Sequence, residues 1–183
     1  VQNARKRKGM GFHPCRSVGV VEYGVFAESI DDRIACEFLS CFPDMTDDSC
    51  NCAWKFTLKG EDMKKRIELI NQDKTDLFIS IHLNSYPNTS VKGAQAFYAP
   101  KNEVSKVFAD ILQKHFRALT QTKMTSKPGD YYILNNAQKI GSLVECGFLS
   151  NAEDRAKLVT DEYQQKVAQT LYDSILEYFN FLS

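Results

Sequence analysis

Apolar and polar positions fall into two regimes along the chain. Up to about Lys59 the pattern is weak. Val18–Phe26 reads as a strand broken by Gly19 and Gly24, and Ile34–Phe42 as a short helix or strand. Cys41–Asn51, rich in Asp, Ser, Thr and Cys, reads as loop. From Glu61 the periodicities sharpen. Met63, Ile67 and Ile70 share one face of a helix predicted over Glu61–Gln72, and Lys74–Asp76 reads as a turn. Leu77-Phe78-Ile79-Ser80-Ile81-His82-Leu83 is mostly apolar, as expected of a strand in a sheet covered on both faces. A polar loop, Asn84–Lys92, and a second strand, Ala94–Tyr98, follow. Over Glu103–Leu119 apolar residues recur at three- and four-residue spacing and predict a helix. His115 lies on its apolar stripe and reads as packing. Tyr131–Leu134 and Ser142–Cys146 read as two further strands. Asn151–Leu158 opens on a capping Asn with Glu153 and Asp154 behind it, then turns helical. Asp161–Leu182 is the last helix, striped by Tyr163, Val167, Leu171, Ile175, Tyr178 and Leu182.

Strands alternating with helices predict an α/β fold: a three-layer sandwich with a mostly parallel central sheet and helices on both faces. The 183 residues fit one domain, 1–183, with a single sizeable core. No internal repeat interrupts the pattern.

Charge narrows the function classes. The 23 basic and 23 acidic residues cancel to a formal net charge of zero, against the basic excess of a nucleic-acid protein. Arg5-Lys6-Arg7-Lys8 could touch an anionic polymer, but such a cluster is more often a solvated tail. No stretch approaches the roughly 18 apolar residues needed to span a membrane. The chain opens at Val1 with no apolar signal-peptide core behind its basic quartet, which leaves a processed or truncated start open. Five of the six cysteines lie in the first 52 residues, without the repeated spacing of a zinc ribbon. A monomer is expected.

Two residues stand out chemically. His82 ends an apolar strand, and ligands of open α/β sheets gather at the carboxyl ends of strands. A neutral imidazole there suits a metal, whereas a lone strand histidine is commonly a hydrogen-bonded core residue. Asn84 follows it at the loop mouth and is a candidate substrate-binding residue. Glu145 follows Leu143-Val144 in a strand. Burying a carboxylate there costs several kcal/mol unless it is paired or near a metal. It is either a general base or a structural carboxylate paired with Arg66 or a backbone donor.

Leu77–Asn84 resembles the strand of the zinc-dependent N-acetylmuramoyl-L-alanine amidases that ends in a metal-binding His. Ser142-Leu143-Val144-Glu145-Cys146-Gly147-Phe148-Leu149-Ser150-Asn151 resembles their strand carrying the catalytic Glu. Asp62–Asn71, with Arg66 and Asn71, is similar to the helix before the first motif, and Lys92–Tyr98 to the strand after it. Two long motifs in order form a specific signal. Residues 60–183 carry the match, nearest to spore-cortex and germination amidases, while 1–59 match poorly.

The resemblance implies a cell-wall hydrolase that cuts the amide between N-acetylmuramic acid and L-alanine of peptidoglycan. It would act outside the cytoplasm, at the wall or spore cortex, in sporulation and germination, with an unknown regulatory protein as a possible partner. Members hold Zn2+ with two His and one Glu and leave a position for water. A separate Glu takes the water's proton and passes it to the leaving amine. By resemblance His82 is a metal ligand and Glu145 the acid/base.

The family's first ligand sits in an N-terminal strand ending Asp-Pro-Gly-His-Gly-Gly, a motif absent here. Lys8–Pro14 falls in its region, with the ligand position near Gly9 and His13 in a slot normally held by Asp. Glu28 is the nearest candidate for the Glu ligand, and Glu22 is the alternative. Either this third has diverged, with His13 as a displaced ligand or metal binding lost, or it is truncated or read in a shifted frame. Arg33–Phe38, read one nucleotide along, permits Val-Ser-Leu-Ala-Asn-Phe, which is closer to a helix of the family. A non-catalytic relative that binds peptidoglycan or a regulatory partner without a complete zinc site is the competing hypothesis. A small anionic-polymer binder using Arg5–Lys8 is a third, opposed by the neutral charge and lack of interleaved aromatics.

Overall fold

A computed structural model describes residues 17–25, 59–73 and 75–182. The features expected at His13, Glu28, Arg5–Lys8, Ile34–Phe42 and Cys41–Asn51 lie outside the described residues. Five strands are present among them: β1 (Ser17–Val25), β2 (Thr75–Asn84), β3 (Gln95–Tyr98), β4 (Lys127–Pro128) and β5 (Ile140–Phe148). Five helices accompany them: α1 (Lys59–Ile70), α2 (Glu103–Thr120), α3 (Tyr132–Asn136), α4 (Ala152–Leu158) and α5 (Asp161–Phe181).

The strands form one sheet in the order β1-β2-β5-β3-β4. β1, β2 and β5 run parallel, β3 runs antiparallel to β5, and β4 runs parallel to β3. β2 and β5 are therefore central, which is why both read as near-continuous apolar runs.

Strand alternation sorts their side chains into two cores. On one face Leu77, Ile79, Ile81 and Leu83 of β2 meet Val144 and Cys146 of β5 under α2 and α5, whose Phe108, Leu112, Phe116, Val167, Leu171 and Tyr178 are buried there. On the other face Phe78 and Leu143 form a smaller core with Ile70 of α1 and Ile133 and Leu134 of α3, flanked by Phe97 and Tyr131. Helices thus cover both faces of a mostly parallel sheet, as the alternation of elements predicts.

Buried Gln113 of α2 fastens the short strand β3: its Oε1 accepts from Ala96 N at 2.8 Å and its Nε2 donates to Ala94 O at 3.2 Å. Gly141 lets Phe78 cross β5, since a Cβ there would sit 2.1 Å from the Phe78 ring.

Two local expectations need correction, and a third element carried no expectation at all. Tyr132–Asn136 is a short helix, not a strand. A strand would send Ile133 and Leu134 to opposite faces, whereas both pack into the same small core. A helical turn achieves that, closed by Asn135 N to Tyr131 O and Ala137 N to Ile133 O, both 3.0 Å. Second, Thr75 and Asp76 belong to β2. Thr75 pairs with Ser17, and its hydroxyl donates to Leu69 O at 3.3 Å, so the reversal falls one step earlier, over 71–73. Third, β4 had no sequence signal. Two exposed residues carry no periodicity, and Pro128 is tolerated there because β4 is an edge strand.

Candidate active site

The small-core face changes character toward the carboxyl end of β2. Phe78, Ser80 and His82 alternate onto this face, so an apolar floor gives way to a hydroxyl and then an imidazole. Across the ladder His82 is the register partner of Glu145. Glu145 is in turn the antiparallel partner of Gln95. Register partners in a sheet present side chains to the same face. His82, Glu145 and Gln95 therefore form a polar row across three adjacent strands, and Gly24 of β1 extends its backbone line beyond His82.

The row is buried: His82 is 3% exposed, Glu145 4% and Gln95 6%. Ser80 Oγ lies 2.7 Å from His82 Nε2. Gln95 Nε2 donates to Thr125 O at 2.9 Å, which ties β3 to the segment before β4. Glu145 Oε2 has no hydrogen-bond partner among the described residues. Burial without compensation pushes its carboxyl up to about 8. The same carboxylate acts on its neighbours. Burial first, and then the Glu145 charge, raise both the Tyr131 phenol and the Cys146 thiol. Tyr131 stands edge-on to Phe97, ring centroids 5.3 Å apart, and walls the row on the α3 side.

The other wall is the rim where β2 and β5 end. Leu149 N donates to Asn84 O at 2.7 Å, and Tyr86 N to Ser150 Oγ at 3.0 Å. Asn151 caps α4 by accepting from Glu153 N and Asp154 N, and its Nδ2 donates to Thr89 O at 2.7 Å. Asp154 Oδ2 accepts from Phe148 N at 3.0 Å and Gly93 N at 2.7 Å. Gly93 has φ +96°, the left-handed region that favours glycine. The Gly147–Asn151 stretch thus has a mechanical role: it pins the loop after β2 against the start of α4.

The structure brings His82 and Glu145 together at one edge of the sheet. Asn84 lies at the same edge, half-buried, with its Oδ1 accepting from Ser85 N at 2.8 Å. His13 and Glu28 lie outside the described residues, as does Gly9, and the side chain of Glu22 is not described. His115, read as packing, is half-buried on α2, and its Nε2 lies 2.8 Å from Glu177 Oε2 on α5, on the far side of the sheet. Ser80, Gln95 and Tyr131 were not singled out by sequence. Ser80 and Gln95 carried a signal: each is a polar residue set within a largely apolar run, on the same alternate face as His82 or Phe97.

A zinc ion needs about four donors. Among the described residues no group of three or more His, Cys, Asp or Glu side chains could hold a metal. His82 fits as one donor: a buried imidazole at a strand end beside an unsatisfied carboxylate. No helix among the described residues is long and apolar enough to cross a membrane.

Comparison with known proteins matches residues 42–177 to the family described as N-acetylmuramoyl-L-alanine amidase, and residues 1–58 to a family of unknown function. A germination-specific N-acetylmuramoyl-L-alanine amidase of Bacillus subtilis is 38% identical over 125 residues, covering 66% of this chain. The chain spans 52%, about half, of that relative's length. Among solved structures, the CwlD amidase from Clostridioides difficile, in complex with the GerS lipoprotein, superposes with a TM-score of 0.72 at 23% identity, covering 87% of this chain and 98% of that one. The catalytic domain of CwlV, an N-acetylmuramoyl-L-alanine amidase from Bacillus (Paenibacillus) polymyxa var. colistinus, has a TM-score of 0.65 at 26% identity over 81% of this chain and 82% of that one.

Proposed function

The chain belongs to the N-acetylmuramoyl-L-alanine amidase family, and on that premise we propose that it is a zinc-dependent peptidoglycan hydrolase cutting the amide between N-acetylmuramic acid and L-alanine. One observation carries the reading: His82 and Glu145 are buried register partners at the carboxyl edge of the two central strands, with Glu145 Oε2 unpartnered among the described residues.

Each side chain has a part that its setting suits. His82 contributes an imidazole ligand. A bound zinc ion would polarise the scissile carbonyl and lower the pKa of the attacking water. Glu145 takes a proton from that water and returns it to the departing L-alanine amine. Without metal, burial holds its carboxyl above the ordinary range, and the charge of a bound zinc ion would draw it down toward a range in which it can accept a proton. Gln95 and Tyr131 border the carboxylate on the β3 side, and Asn84 stands at the loop mouth where the substrate's polar groups would enter. His13 and Glu28 are the proposed remaining ligands. Residues 1–183 act as one domain in this reading, as a monomer at the cell wall or spore cortex, with peptidoglycan as the partner. The 38% identity over 125 residues to a germination-specific amidase supports that location.

The test is release of peptide from purified peptidoglycan by the full chain with one equivalent of zinc. Activity should vanish with a chelator and return with zinc. His82→Ala should lose zinc and activity together, and Glu145→Gln should keep zinc but turn over at least about a hundredfold more slowly. Peptidoglycan binding with neither zinc uptake nor hydrolysis would replace this reading with that of a non-catalytic relative.

A further inference from the structure

We propose that Ser80 is the positioning residue for His82: its Oγ accepts the Nε2 proton, which assigns Nδ1 as the metal-facing nitrogen. The inference rests on the reading of His82 as a ligand. Alternation places both side chains on the small-core face of β2, two residues apart, and Ser80 Oγ lies 2.7 Å from Nε2. Ser80 is fully buried and His82 nearly so.

The Ser80 contact bears on which nitrogen would face a metal. A ligating nitrogen points its lone pair along the ring plane at the ion, about 2.0–2.1 Å away for zinc. At Nε2 that line is occupied by Ser80 Oγ. A metal held by His82 would then take Nδ1 and leave Nε2 to carry the proton, because a neutral imidazole has one N–H and one lone pair. Ser80 Oγ then serves as the oxygen that metal-bound histidines commonly engage through their second nitrogen, fixing tautomer and ring orientation. Phe78, next on the same face, is buried in the small core with Ile70 and Leu143, so the strand segment carrying Ser80 is held by packing and not by the metal. The hydroxyl is in place before any ion arrives.

The tautomer is read on metal-free, 15N-labelled full chain from its imidazole nitrogen shifts. The three histidines are separated by comparison with His82→Ala. The expected spectrum shows a protonated Nε2 and a lone pair on Nδ1 in the wild type. Ser80→Ala should give a mixture of tautomers and lose about 10–100-fold in zinc affinity, measured by competition with a chelating dye. Ser80→Thr, which keeps the hydroxyl, should restore both. A wild-type spectrum with the proton on Nδ1 overturns the proposal, and so does a Ser80→Ala protein whose tautomer and zinc affinity match the wild type. If Ser80→Thr folds poorly, the wild-type spectrum alone still decides. Zinc binding undiminished in His82→Ala overturns the ligand reading itself. That failure is distinct, because the tautomer is measured without metal.

Discussion

Glu145 stands directly opposite His82 across the β2–β5 ladder, and both side chains are shut away from solvent. The pairing follows from two strands that must each bury both faces. Once β2 and β5 are central and parallel, their in-register polar residues have nowhere to go but one shared pocket. An ionised carboxylate there is held at the expense of folding stability, and the first prediction follows from that.

In the metal-free protein the Glu145 carboxyl is pushed up to about 8 from an ordinary value of 4.5. Between those values the native state keeps a proton that the unfolded chain has released, so stability falls as pH rises through that window. Glu145→Gln removes this slope. The variant should match the wild type near pH 4.5 and exceed it by about 2–3 kcal/mol at pH 8, given about 1.4 kcal/mol per pKa unit and partial solvent relief. Urea unfolding of both proteins in chelator, from pH 5 to 8, checks this. A wild-type curve that rises with pH relative to the variant would mean that Glu145 is paired in its charged form.

Asp154 holds two backbone N–H groups, Gly93 and Phe148, with a single buried oxygen. Asp154→Ala leaves both donors without their acceptor. The expected loss is on the order of 3 kcal/mol, from hydrogen bonds to a charged group plus the cost of leaving buried donors unpaired. Hydrogen exchange at the Gly93 and Phe148 amides should accelerate well beyond that of the amides in β2. Unchanged protection at those two sites would show that the clamp is not made in solution.

Gly141→Ala places a Cβ against the Phe78 ring, which is itself fully buried between β2 and α1. Overpacking of this kind costs about 1–3 kcal/mol. Trimming the obstacle in Phe78→Leu should make the two substitutions non-additive, with the pair less destabilised than the sum of the singles. Strict additivity in a double-mutant cycle would contradict the contact.

Gln113 fastens β3 by bonding both Ala96 N and Ala94 O from within α2. Gln113→Leu fits the volume but leaves a buried donor and acceptor unpaired, at about 2–4 kcal/mol. Because Gln95 opposite Glu145 belongs to the same strand, peptidoglycan hydrolysis should fall more than the unfolded fraction accounts for. Equal losses of folded protein and of activity would separate β3 from the site.

Much of this architecture is legible in the residues themselves. The apolar runs Leu77–Leu83 and Leu143–Cys146 fix two buried strands, and the spacing of Phe108, Leu112 and Phe116, or of Val167, Leu171 and Ile175, fixes the helices that cover them. His82 and Glu145 stand out because buried strands rarely carry such groups. Tyr131–Leu134 misleads because a short β-like stretch of aromatic and aliphatic residues fits a strand locally. The shared burial of Ile133 and Leu134 decides for a helix.

The sequence by itself determined the fold class, the central strands and the two conspicuous polar groups on them, His82 and Glu145, because burial on both faces writes itself into local composition. Only the tertiary structure decided who meets whom. Register placed Glu145 between His82 and Gln95, and strand alternation set Ser80 Oγ on the His82 ring. The antiparallel turn of β3 brought a buried amide beside a carboxylate about fifty residues away in the chain. Such pairings depend on strand order and direction. Those are set by the packing of whole layers, and no local pattern of polar and apolar residues encodes them.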